Sequence, residues 1–163
     1  MNIFFLDKSP ERSAEYSFDC HIRSGLIETV AMMGFVYDDG DFTPWKWINS
    51  KNRYAKNPMT IWVGSTLQNF DWILQHSFAL AQEFEFRFGK KHKCLEYLNW
   101  IALYTPIYKL PNDRFTEPPR CFGKYKDDIE ITDDVVQDYR QYYLLSKRHL
   151  EKWTKRNAPD WWH

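Results

Sequence analysis

His21 and Glu28 stand seven residues apart in a stretch patterned as a helix, so both side chains leave one face about two turns apart. An imidazole and a carboxylate so arranged can exchange protons with a bound reactant. Gly25 lies between them on the same face. A glycine inside a helix costs about 1 kcal/mol against alanine, so something should compensate for it. One reading is a small notch, flanked by His21 and Glu28, into which a ligand enters. The other is close packing of a neighbouring helix on Gly25, with His21 and Glu28 in surface hydrogen bonds.

Trp62, Asn69, His76 and Glu83 form a second stripe at seven-residue intervals on a segment otherwise rich in apolar residues. Such a seam offers donors, acceptors and an aromatic platform, and could line the same cleft as His21 and Glu28. It could equally be the solvent face of an amphipathic helix. Charge separates near the C-terminus: Asp127, Asp128, Glu130, Asp133, Asp134 and Asp138 precede Arg140, Lys147, Arg148, Lys152, Lys155 and Arg156, with Glu151 the one acid in the basic block. Basic side chains mixed with Tyr139, Tyr142, Tyr143, Trp153, Trp161 and Trp162 suit phosphate contacts and base stacking. A solvated helix face paired with the acidic block is the competing reading.

Helices must position these residues. Ser9-Pro10-Glu11 is a helix start, and a short first helix is expected to about Phe18. Asp19 opens a second, with Ile22, Leu26, Val30 and Met33 as its buried stripe and Gly34 as its stop. Residues 35–57 read as a long loop carrying Trp45 and Trp47. Asn57-Pro58 starts a helix reaching Phe88, with a break at Gly64-Ser65, and Leu67, Phe70, Leu74, Ala81, Phe84 and Phe88 facing inward. A shorter helix covers about Lys91 to Leu103, and a proline-rich loop spans 105–131. Thr132 or Asp133 caps the last helix, along which Val136, Tyr139, Tyr143, Leu150 and Trp153 follow helical spacing. The expected fold is mainly α, a single compact helical domain over 1–163 with a short N-terminal strand at most, at Met1 to Leu6.

Composition narrows the function classes. The chain has 163 residues, enough for one domain with a real core. Lys plus Arg and Asp plus Glu are both 22, which excludes a surface that is a polycation throughout but not a local basic patch. Aromatic residues make up 18 %, unlike a disordered chain. Glu28 interrupts the apolar run from Gly25 to Tyr37, so no membrane span is expected. Ile3 to Leu6 is too short for a signal-peptide core and meets Asp7 at once. Three widely spaced cysteines, Cys20, Cys94 and Cys121, suit a reducing cytoplasm rather than a disulfide framework. Cys20-His21 and His92-x-Cys94 lack the spacing of a zinc site, and the six glycines are isolated, so neither metal nor cofactor is expected.

Several segments carry a resemblance. Met1-Asn2-Ile3-Phe4, Asp19-Cys20-His21, Ile27-Glu28-Thr29, Asn57-Pro58, Ile61-Trp62-Val63, Asn69, Trp72 and Arg87-Phe88-Gly89-Lys90 are similar to a family of small proteins encoded by tailed phages. Phe115-Thr116-Glu117-Pro118-Pro119, Tyr139-Arg140-x-Tyr142-Tyr143 and Lys152-Trp153-Thr154-Lys155-Arg156 extend the likeness along nearly the whole chain. That family is associated with thymidine hypermodification, as amino acid:DNA transferases that join an amine to the activated methylene of 5-hydroxymethyluracil. A weaker similarity is to phage pyrimidine-dimer DNA glycosylases, which carry Asp-x-His and a catalytic Glu seven residues after the His; Asp19, His21 and Glu28 fit that spacing. Glycosylases of this type use the amine of a small N-terminal residue as nucleophile, whereas Asn2 here is bulky enough to disfavour removal of Met1. Cys20 and Ser24 stand where the phage family has lysines, and Arg120-Cys121-Phe122-Gly123 departs from its Pro-Pro-x-Ala-Met-Pro pattern.

The resemblance implies an enzyme in a phage host's cytoplasm acting on double-stranded DNA with a modified pyrimidine, and a free amino acid as co-substrate. Both relatives face a base buried in a duplex, which must be flipped out. In that scheme Glu28 is the general base and His21 orients it or protonates the leaving group. Asp19, Gly25, Trp62, Asn69, Trp72 and His76 hold the base, with Asn69 and His76 reading its edge. Arg140, Lys147, Arg148, Lys152, Lys155 and Arg156 hold the backbone. Glycosidic cleavage, with Glu28 stabilising an oxocarbenium-like sugar, is one alternative. A catalytically silent module gripping DNA or a host protein is another.

Overall fold

The computed structural model describes residues 2–38, 55–104 and 109–163. Most of the expected 35–57 loop, with Trp45 and Trp47, and the start of the 105–131 loop lie outside these residues. Six α-helices and no strand occur among the described residues, a mainly α fold. None of these helices is long and apolar enough to cross a membrane.

Local capping chemistry sets most boundaries. Helix α1 (Pro10–Tyr16) begins where the Ser9 hydroxyl accepts the Arg12 N–H, with proline at the first helical position. Helix α2 (Asp19–Asp38) runs through Gly34 rather than stopping there. Its last turns bring Val36 against Gly64, and that packing outweighs the glycine's weak helix propensity. Helix α3 (Pro58–Val63) is capped by Asn57 and broken at Gly64-Ser65, after which the Thr66 hydroxyl caps α4 (Leu67–Phe88). Gly89, with φ of 69°, closes α4 in the left-handed region that favours glycine. Helix α5 covers Cys94–Leu103.

The last helix, α6 (Val135–Lys147), is capped by Asp134, whose carboxylate accepts the Val136 N–H, rather than by Thr132 or Asp133. Thr132 instead accepts the Asp134 N–H, one turn earlier. Leu150 and Trp153 fall outside α6, which passes through a short 3-10 turn (Arg148–Leu150) into an irregular tail.

The expected N-terminal strand is an extended segment with no sheet to join. Ile3, Phe4, Phe5 and Leu6 are each 2 % exposed or less, so their backbone groups need partners away from water. Side chains supply them. Glu28 accepts the Asn2 N–H at 2.8 Å, the Ser13 hydroxyl donates to the Phe4 carbonyl and accepts the Leu6 N–H, and Arg140 donates to the Leu6 carbonyl. Helix α4 packs against both α1 and α2 around this segment.

Gly25 is the position where the segment touches α2. A Cβ there would stand 2.8 Å from the Asn2 carbonyl oxygen, a backbone atom that cannot swing away. Replacing Gly25 by alanine should therefore destabilise the protein despite alanine's better helix propensity, by about 1–3 kcal/mol of overpacking less about 1 kcal/mol of propensity. The expected result is a thermal midpoint lowered by a few degrees in a circular-dichroism melt, at roughly 2–4 °C per kcal/mol for a chain of this size. A raised midpoint would show that the segment does not sit on Gly25.

Candidate functional site

The N-terminal segment divides the candidate residues into two groups, because successive side chains of an extended chain point to opposite faces. Phe4 meets His21 and Tyr143, at centroid distances of 4.6 and 4.9 Å. Phe5 meets Trp62, Trp72 and Tyr139, at 5.4, 4.5 and 5.4 Å. His21 and Asn69 therefore do not share one open cleft.

On the Phe4 side, both carboxylate oxygens of Glu28 are engaged by Asn2, one by its backbone N–H and the other by its side-chain amide at 2.9 Å. The space over Gly25 is occupied by the Asn2 carbonyl and by Leu80 of α4, so the N-terminal segment and a neighbouring helix both pack there. His21 is buried, with Nδ1 at 2.6 Å from the Tyr143 hydroxyl. That hydroxyl also accepts the Phe18 N–H, so it ties the His21 ring to the backbone at the start of α2. Burial, reinforced by Lys147 and His149, pushes the His21 pKa down to about 3, and it stays neutral. Burial also holds the Tyr143 hydroxyl well above its ordinary pKa.

On the Phe5 side lies a cavity of about 870 Å³, which none of the second stripe's residues Trp62, Asn69, His76 and Glu83 lines. Trp72 lines it directly, and Trp62 stands behind, edge-on to Phe5 and to Phe115. Asn69 is fully buried: its amide donates to the Trp62 carbonyl and the Thr116 hydroxyl, and its oxygen accepts the Thr116 N–H. The Trp62 indole donates to the Thr116 carbonyl, so these two residues fix residues 115–116 as one side of the cavity. His76 donates from Nδ1 to the Pro10 carbonyl and stacks on Trp72 at 5.1 Å. Burial pushes its pKa down to about 4. The hydrogen bonds of Asn69 and of His76 Nδ1 are thus made within the chain, where a base-reading role requires them to face a ligand.

Asp19 and Glu83 belong to a buried ionic network. Arg87 is 2 % exposed and binds Asp19 at 3.1 Å, Glu83 at 2.9 Å and the carbonyls of Glu15 and Ser17. Asp19 also accepts the backbone N–H and hydroxyl of Thr154. Burial raises its pKa, but the Thr154 and Arg87 contacts outweigh this and lower it overall. Within the basic block, Arg156 pairs with Glu83 and lies 3.7 Å from Glu15, while Arg140 lies 3.4 Å from Asp7. The acids that answer these two arginines thus come from α1, α4 and the N-terminus, not from the acidic block. Arg148 donates to the His163 carbonyl, and Lys155 to that of Phe86. Lys147 stands over the rings of Phe4 and Tyr142, and Lys152 is exposed.

For several residues with a structural part in these sites the sequence suggests no such role. Arg87 and Tyr143 act through contacts 70 and 125 residues away, and Asn2 and Ser13 through contacts 26 and 9 residues away that only the fold closes, apart from the local Arg87–Glu83 pair at helical spacing. Among the described residues no group of three or more His, Cys, Asp or Glu side chains could hold a metal. Comparison of the chain with models of known families, with curated proteins and with solved structures finds no match.

The two buried histidines tie stability to pH. Their folded pKa values, about 3 for His21 and about 4 for His76, lie below the ordinary 6.5, so the unfolded chain binds more protons as pH falls below 6.5. Their stabilising contribution is complete above pH 6.5 and lost progressively towards pH 4, by roughly 2 kcal/mol each at pH 5. His92, also lowered by burial, acts in the same direction. Urea unfolding at pH 7 and pH 5 should show that fall; equal stabilities would contradict neutral, buried imidazoles.

Proposed function

We propose that this protein modifies DNA at a pyrimidine flipped out of the duplex, with Glu28 as the catalytic carboxylate. One observation supports this above the others. Glu28 is only partly buried, both its oxygens are oriented by Asn2, and the adjoining N-terminal segment carries Phe4 beneath the Lys147 ammonium at the basic end of α6. An oriented carboxylate and a lysine that meet the same short segment suit a reaction on DNA: the lysine answers the phosphate and the carboxylate handles the proton.

In the transfer reading, an amino acid's amine attacks the activated methylene of 5-hydroxymethyluracil. The C–N bond forms as the bond to the leaving group breaks with its electron pair, and the amine's proton passes to Glu28. Gly25 is covered by Asn2, so the base in this reading lies over the Glu28–Asn2 pair instead of in a notch. Neutral His21 acts as a positioning group, packed on Phe4 and held by Tyr143. Lys147, Arg148, Lys152 and Lys155 contact phosphates, offsetting the few kcal/mol that flipping costs.

Cleavage of the glycosidic bond is the second reading, favoured by the same contact. A nitrogen near the chain's start, Asn2 N, lies 2.8 Å from Glu28, and the glycosylases that the sequence resembles combine a catalytic glutamate with an N-terminal amine. It stands second because an amine at Asn2 requires removal of Met1 before a bulky residue.

The test is mass spectrometry of nucleosides from DNA bearing activated 5-hydroxymethyluracil after incubation with the protein and mixed amino acids. A nucleoside heavier by an amino acid residue is expected, with Glu28→Gln slowing its formation by about 100-fold or more. Abasic sites would establish the glycosylase instead. An unchanged profile, or full turnover by Glu28→Gln, would overturn catalysis at Glu28 and leave a binding module.

A further inference from the structure

The cavity on the Phe5 side has a chemistry unlike that around Glu28. Its interior is aromatic and apolar: Phe5 and Trp72 are stacked 4.5 Å apart, and Phe115, 45 % exposed, forms an open wall. Its rim is acidic. Asp7 and Glu117 are already matched by Arg140 and Arg120, but Asp133 and Asp134 make no ion pair among the described residues. Lys8 is the one basic side chain among those that line it. The N-terminus of α6 contributes about half a positive charge, too little to cancel two carboxylates.

We propose that this cavity binds a small organic cation, a primary ammonium on an apolar stem. The carboxylates of Asp133 and Asp134 attract the headgroup, and the exposed ring of Phe115 attracts it further through its quadrupole, while Trp72, stacked on Phe5, adds apolar wall. Phe5 and Val136 bury the stem. The acidic rim disfavours phosphates and other anions, and the aromatic walls offer a hydrated metal ion no oxygen shell. The volume of about 870 Å³ lies within the range of small-molecule sites. The proposal is independent of the DNA reading, because none of the residues assigned there to the reaction or to phosphate lines this cavity.

Isothermal titration of the full chain with phenethylammonium and its neutral counterpart 2-phenylethanol tests it. The ammonium should bind at least about tenfold more tightly than the alcohol. An Asp133→Asn, Asp134→Asn double variant should weaken the ammonium about tenfold and leave the alcohol unchanged; asparagine at 134 still caps α6, so the fold is kept. Phe115→Ala, at a half-exposed position, should weaken both ligands. Equal affinities, binding of neither ligand, or a double variant that holds the ammonium as tightly as the parent would overturn the site. No DNA enters the measurement, so its failure leaves the Glu28 reading untouched, and failure of that reading leaves this one standing.

Discussion

The burial of Asn2 to Leu6 as a lone extended segment is the constraint on which the rest depends. A buried strand ordinarily satisfies its backbone through a sheet. Among the described residues this one is met by side chains, each from a different element: Ser13 from α1, Glu28 from α2, Arg140 from α6. Each of these bonds fixes a helix relative to the segment, so three helices share one central reference. The glycine at 25 follows from the same requirement, since only a residue without a Cβ lets the Asn2 carbonyl approach α2.

A second dependency runs from the buried Arg87 to the C-terminal tail. A guanidinium 2 % exposed is tolerable only when its donors are matched, because removing a charge from water costs several kcal/mol per ion. Asp19, Glu83 and two carbonyls meet that need, and Thr154 and Arg156 extend the network into the tail. The irregular residues beyond α6 are therefore held by a polar network as well as by Trp153 and Trp162, which pack edge-on against Phe18. This explains why so many polar residues in suggestive patterns turn out to be partnered within the chain: with no sheet among the described residues, side chains carry backbone satisfaction that ladders would otherwise supply.

What could be read from the sequence follows the range of the interactions involved. Caps at Ser9, Asn57 and Gly89, the break at Gly64 and the apolar stripes of α2 and α4 are local, and the helices lie where these signals place them. The end of α2 was misread because Gly34 is a stop only if nothing favours continuation, and Val36 packing on Gly64 does. The site was less legible. His21 and Glu28 do face the same neighbour, the N-terminal segment, yet their spacing could not say whether a ligand or the chain's own Asn2 fills the gap. Trp72 lines a cavity whose carboxylates, Asp7, Glu117, Asp133 and Asp134, all come from distant parts of the chain, which no motif on α4 could reveal.

The distribution of charge then gives meaning to a net charge of zero. Helix α6 opens at Asp133 and Asp134 beside the aromatic cavity and ends at Lys147, and its 13 residues span about 20 Å. Acids at the N-terminal end and a base at the C-terminal end complement the helix dipole, so the separation is stabilising in itself. Its consequence is opposite charge at the two ends of α6. A polyanion approaching Lys147 and Lys152 is attracted at one end of α6 and repelled at the other, while an organic cation experiences the reverse. The two ligands proposed above would thus approach opposite ends of α6 without competing for one surface.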